Sequence, residues 1–209
     1  MSDVPTVAAD RSSSREEAAI QPSLHHVFLK TTRFREMRDW YTKTIGMQPS
    51  FEFPDGRAAF MANDAANHRL VLFSHPAFTD DPQKLEHAGI HHTAFEYNSL
   101  ADLLTSYRRM KALGIEPHAC LNHGPCTSFY YLDPDGNSLE LQADNFGDWA
   151  RSKMFMSSAE FREEPIGVQV DPDRMLEAFE AGVSAEELNR RSYAGEFAPG
   201  TALDLRIPV

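Results

Sequence analysis

Cysteine is scarce: the 209-residue chain has two, Cys120 and Cys126, too few for a disulfide framework or for a metal held by thiolates alone. Long apolar runs are missing as well. No stretch approaches the ~18 apolar residues of a membrane span, and the polar opening from Met1 to Gln21 lacks the apolar centre of a secretory signal. The expectation is a soluble, cytoplasmic protein with no membrane partner. Basic residues are outnumbered, with 20 Lys and Arg against 31 Asp and Glu and a formal net charge of -11. Such a surface repels a phosphate backbone and argues against nucleic acid as a partner. Any metal must therefore rest on histidine and carboxylate.

What is present divides the chain into three parts. Residues 1–21 hold few large apolar side chains and read as a flexible arm. Residues 22–145 alternate short apolar strands with two helical patterns. In the first pattern Phe34, Met37, Trp40, Tyr41 and Ile45 recur at helical spacing and stop at Gly46. In the second, Leu100, Leu103, Leu104, Tyr107 and Met110 do the same before Gly114. Residues 146–209 form a tail in which Asp171-Pro172 and Ser184-x-x-Glu187 open two short helices.

The middle part is an internal repeat. Each helix follows a strand that begins with a doubled histidine, His25-His26 or His91-His92, and each precedes a Gly-x-x-Pro turn, Gly46 to Pro49 or Gly114 to Pro117. His26 and His92 lie 66 residues apart, and the runs beginning at Phe60 and Phe129 match without a gap at an offset of 69. Each half reads strand, helix, strand, strand, strand, so two modules of about 22–78 and 88–145 are expected. The fold class is α+β, with paired βαβββ modules curled into a half-open barrel and helices outside.

Strand alternation then places the chemistry. Leu24, His26, Phe28 and Lys30 share one face; His92, Ala94 and Glu96 share another; Leu139 and Leu141 lie under the helix, which turns Glu140 inward. If the repeat puts His26 and His92 at equivalent inward positions, two imidazoles and a carboxylate converge. That set leaves open positions and suits non-haem Fe(II). A register shift of one residue would substitute His25 and His91, and alternation alone leaves that choice open.

The strand His26-Val27-Phe28-Leu29-Lys30, the helix ending in Trp40-Tyr41, His92-Thr93-Ala94-Phe95 and the segment Asp133-Pro134-Asp135-Gly136-Asn137-Ser138-Leu139-Glu140-Leu141 resemble the vicinal oxygen chelate superfamily over roughly residues 22–145. Within it the chain is most similar to type I extradiol ring-cleavage dioxygenases of the catechol and 2,3-dihydroxybiphenyl kind. The resemblance implies Fe(II), with Mn(II) as the alternative metal, on His26, His92 and Glu140. It also implies a catecholic substrate and O2 as partners. His68 falls at the family's acid/base histidine and Tyr130 at its hydrogen-bonding tyrosine. His123 falls near a histidine that contacts a catecholic oxygen, at a shortened spacing to Ser128, and His118 stands as its alternative.

Two rivals share the fold. Glyoxalase-like members add a fourth, acidic ligand from the first half, at the place that Val71 occupies here. Metal-free proteins that sequester aromatic antibiotics need no such ligands, and His26, His92 and Glu140 together argue against that use. The tail carries Met154, Phe155, Met156, Phe161, Met175, Leu176 and Phe179. That much apolar surface predicts packing on the domain or on a partner subunit, with a homodimer expected.

Overall fold

In the computed structural model, which describes residues 19–207, the two halves of the repeat become two sheets with matching connectivity. All but the last three residues of the expected N-terminal arm lie outside that range. The first half runs β1 (Val27–Thr31), α1 (Phe34–Ile45), β2 (Gln48–Glu52), β3 (Ala58–Ala62) and β4 (Leu70–Ser74). The second runs β5 (His92–Tyr97), α2 (Leu100–Lys111), β6 (Ala119–Asn122), β7 (Cys126–Leu132) and β8 (Ser138–Asp144). Strand order is β1-β4-β3-β2 in one sheet. In the other it is β5-β8-β7-β6, extended by β9 (Val168–Gln169) from the tail. In each half the first strand pairs parallel with the last and the hairpins pair antiparallel.

Local chemistry explains the helix limits. Gly46 adopts φ 71° and returns its N–H to Thr42 O, a left-handed cap that suits glycine. Ser99 caps α2 by accepting the Asp102 N–H. The α-helix ends at Lys111, short of Gly114, and the intervening turn closes with Ile115 N–H donating to Met110 O. Pro49 is tolerated because β2 is an edge strand.

One face of each sheet lies under its helix, and these faces merge into a single core. Met37, Tyr41, Leu72 and Met61 from the first half join Leu103, Met110, Leu139 and Leu141 from the second. Burial on this scale contributes about 1.5–3 kcal/mol for each large apolar side chain before entropy is counted. Polar contacts lock the halves together. The buried Tyr41 hydroxyl donates to Asp133 Oδ2 at 3.1 Å, Arg33 Nη1 pairs with Asp135 at 3.0 Å, and Arg109 Nη1 donates to Lys43 O at 2.7 Å. Asp133 also accepts the backbone N–H groups of Asp135 and Asn137, which shapes the turn before β8.

The tail packs on the domain. Helices α5 (Pro172–Glu180) and α6 (Ala185–Tyr193) are capped by Asp171 and Ser184, and Val170, Met175, Leu188 and Phe197 enter the core. Two further helices, α3 (Trp149–Phe155) and α4 (Ala159–Glu163), begin at Asp148 and Ser158. They bury little, so no apolar period announces them; their N-caps are the readable signal. Among the described residues no helix is long and apolar enough to cross a membrane.

Candidate active site

The face of the second sheet turned away from α2 carries a cross-strand row. In register, Ala94 pairs with Glu140, Glu140 with Tyr130, and Tyr130 with Ala119. Residues opposite one another in a ladder point to the same side, so this row shares one face while Leu139, Leu141 and Phe129 fill the core behind it. Glu140 is 7% exposed, a depth at which a carboxylate needs partners. It has them: His92 Nε2 lies 2.8 Å from Glu140 Oε2, and the Tyr130 hydroxyl donates to Oε1 at 3.0 Å. Burial alone would raise the Glu140 pKa, but His92, Ser128 and Tyr130 outweigh it and hold the group below its ordinary value. The Tyr130 hydroxyl is pushed up, first by burial and then by the Glu140 charge.

His123 extends the network. Its Nε2 lies 2.9 Å from the Tyr130 hydroxyl, and its Nδ1–H donates to Ile166 O at 2.6 Å. Gly167, at φ 95°, permits this approach, because a β-carbon there would collide with the backbone of Asn122 and His123. His118 sits one strand edge away, with Nε2 at 3.2 Å from Ser138 Oγ and Nδ1 at 3.0 Å from Asp204 O.

The corresponding row of the first sheet is apolar. Phe28 pairs with Val71 and Val71 with Phe60, so Val71 and Phe60 stand where the second half has Glu140 and Tyr130. Beside this row lie His26, His68 and His25. The ring centroids of His26 and His68 are 4.5 Å apart, and His68 stacks on Phe60 at 5.1 Å. Desolvation, then the His26 and His25 imidazoles, hold the His68 pKa below its ordinary value.

The structure thus gathers His92, Glu140, Tyr130 and His123 into one network and His26 and His68 into another. Among the described residues, the three whose ligand atoms all lie within 4.8 Å of one another are His25, His26 and His68, a set that does not include His92 or Glu140. Each doubled histidine makes the same contact: the Nδ1 atoms of His25 and His26 are 3.2 Å apart, and those of His91 and His92 are 2.8 Å apart. His91 is held in turn by Leu205, whose carbonyl accepts the His91 Nε2–H at 2.7 Å. In the second pair Nε2 of His92 is therefore the nitrogen aimed at Glu140. Sequence reasoning passed over Ser128 and Ser138. Both occupy the inward parity of their strands, and that was their only signal.

The family model for the Glyoxalase/Bleomycin resistance protein/Dioxygenase superfamily matches residues 23–141. A curated relative, biphenyl-2,3-diol 1,2-dioxygenase 2 of Rhodococcus globerulus, is 37% identical over 178 residues, which is 85% of this chain and 92% of the relative. Biphenyl-2,3-diol 1,2-dioxygenase 3 of the same organism is 36% identical, over 84% of this chain and 91% of its own length. Among solved structures, a glyoxylase/bleomycin resistance protein/dioxygenase domain from Frankia sp. EAN1pec superposes with a TM-score of 0.51 at 18% identity. It covers 60% of this chain and 93% of that one, a likeness of fold. With the family model spanning more than half of the chain and dioxygenases aligned along most of it, the chain belongs to the glyoxalase/bleomycin resistance protein/dioxygenase superfamily, on its dioxygenase side.

Proposed function

We propose that this chain is an extradiol dioxygenase that opens the ring of a catecholic substrate with both atoms of O2. His26, His92 and Glu140 would hold Fe(II), with Mn(II) as the alternative metal. The observation that carries the reading is the contact between His92, which is half-buried, and the buried Glu140. An imidazole nitrogen and a carboxylate oxygen 2.8 Å apart require a proton or a cation between them, because two lone pairs repel. The Nδ1 of His92 is taken up by His91, the outer-partner arrangement that metal-bound histidines use. His26 has the equivalent partner in His25 and the equivalent place in the repeat. The donor types, two imidazoles and a carboxylate, fit the metal, and His26 would reach it from the separate group it forms with His25 and His68.

Bound there, Fe(II) would supply a centre that takes up the two vicinal oxygens and O2 together and passes electron density between them. The remaining work falls to side chains. His68, whose pKa desolvation and its histidine neighbours hold below the ordinary value, would accept a proton from a substrate hydroxyl and return it later in the reaction. Tyr130, whose O–H is held by Glu140 here, would turn it to substrate oxygen once Glu140 holds the metal, and His123 acts behind it through the Tyr130 hydroxyl. The apolar row of Phe28, Val71 and Phe60 would lie beside the ring. Valine at position 71 cannot act as the fourth ligand of a glyoxalase-like centre, and a buried carboxylate facing an imidazole has no use in a metal-free binder of aromatics.

The test is anaerobic loading with Fe(II) or Mn(II), followed by oxygen uptake with catechol and biphenyl-2,3-diol. Stoichiometric uptake with a yellow ring-opened product is expected. No uptake with either metal would sink the reading, and isomerisation of a glutathione hemithioacetal without oxygen would replace it with the glyoxalase-like one.

A further inference from the structure

Helix α2 covers one face of the second sheet, and Glu140 lies on the opposite face. A small apolar cluster forms there, made of Ala119, Leu121 and Tyr130, and the side chain packed against it is Leu205 from the C-terminal segment. Three observations show that this segment is docked rather than draped. Its carbonyls at Asp204 and Leu205 accept hydrogen bonds from His118 and His91. Asp204 Oδ1 accepts the Arg206 N–H at 2.9 Å and closes a tight turn. Arg206 takes φ 58°, a left-handed conformation that is strained for an L-residue and persists only where surrounding contacts hold it. His91, which also backs His92, and His118, which is outside the proposed ligand set, thus anchor the C-terminal segment.

The position of Leu205 relative to the chemistry follows. Leu205 packs on the cluster to which Tyr130 belongs, and Tyr130 donates to Glu140. Leu205 therefore borders the group of side chains that includes the partner of the carboxylate proposed to hold the metal. Beyond it, Arg206 and Ile207 help to line a cavity of about 480 Å³ whose walls include His91, Leu132 and Ser138. Ser138 pairs in register with His92, so this cavity borders the same face of the sheet, one row along from Glu140. Ala119, Leu121, the Tyr130 ring and Leu205 make an apolar surface suited to a second ring or an alkyl chain, and the neighbouring cavity is of ligand size.

We infer that residues 203–207 form the outer wall of the substrate pocket and that Leu205 determines which ring substituent is accepted beside the diol. The inference rests on the dioxygenase reading above. The ligand class is a catechol bearing an apolar substituent, whose far end would meet Leu205 while its hydroxyls face His92 and Glu140. His91 and His118 are positioning residues, acting through the segment they hold.

The experiment measures kcat and KM of the metal-loaded wild type, Leu205→Ala and Leu205→Trp with catechol and with biphenyl-2,3-diol. It also follows hydrogen exchange at residues 203–207 of the wild type with and without biphenyl-2,3-diol under anaerobic conditions. Loss of one apolar contact changes discrimination by 10-fold or more. The expected result is a 10-fold fall in the preference for biphenyl-2,3-diol in Leu205→Ala, carried by KM. A larger fall is expected in Leu205→Trp, together with slower exchange at 203–207 when the diol binds. A preference within twofold of wild type in both variants, or exchange that the diol leaves unaltered, overturns the inference while the dioxygenase reading stands. Wild type that consumes no oxygen with either diol overturns both.

Discussion

The Nδ1 atoms of His91 and His92 lie 2.8 Å apart, which leaves His92 Nε2 facing Glu140 and His91 Nε2 facing a backbone carbonyl. The two histidines therefore play unequal parts. In the metal-binding reading, His92→Ala and Glu140→Gln fold but do not retain iron. His91→Ala removes only the outer partner and weakens metal affinity about 10–100-fold. Metal analysis after dialysis at graded chelator concentrations separates the cases. If His91→Ala strips the metal as thoroughly as His92→Ala, the strand register of the ligands is wrong.

In the same reading, proton transfer separates from metal binding at His68. Replacing it with Phe keeps the stack on Phe60 and lowers turnover by about 10²-fold, the usual scale of general acid–base loss, with iron content unchanged. Tyr130→Phe loses the bond to Glu140 as well and gives a milder fall in rate. His123→Phe follows it, since His123 reaches the site through the Tyr130 hydroxyl. Wild-type turnover in His68→Phe, with His118→Phe inactive, would move the acid–base role to the loop before β6.

The two thiols are inert at neutral pH. Burial pushes the Cys126 thiol up to about 11 and raises Cys120 well above its ordinary value, so neither supplies thiolate. Alkylation by iodoacetamide in the folded protein is expected to be negligible at pH 8 and to quicken only as pH nears 11 or the chain unfolds. Stoichiometric labelling of the native protein at pH 8 would contradict this.

The tail is part of the core. Met175 and Leu188 are fully buried, and truncating either to Ala is expected to cost about 2–5 kcal/mol in urea unfolding. A chain ending at Asn145 loses Val170, Met175, Leu188 and Phe197 from the same core. It is expected to be insoluble, and a soluble, cooperatively unfolding truncation would show that the tail is dispensable.

Much of this was legible in the residues. The repeat specifies the strand and helix order of both halves because each copy constrains the other, and the alternation in Ser138–Gln142 by itself puts Glu140 opposite the leucines. Caps at Asp171 and Ser184 marked two tail helices correctly. What escaped was long-range. Nothing local to Leu205, His91 or His118 says that residues 86 and 114 positions apart will meet, and a two-residue strand at Val168–Gln169 has no period to read. Helices α3 and α4 were missed for lack of a buried face.

The unequal rows of the two sheets have a consequence of their own. A duplicated module presents the same cross-strand row twice, and two identical rows would offer a ligand two equivalent ways to lie between them. Here one copy keeps Glu140 and Tyr130 while the other has Val71 and Phe60 at the same stations. The duplication has been made directional: a molecule with a polar end and a greasy end has one sense of entry, and the degeneracy that gene doubling would otherwise have built into the cavity is removed by two side chains.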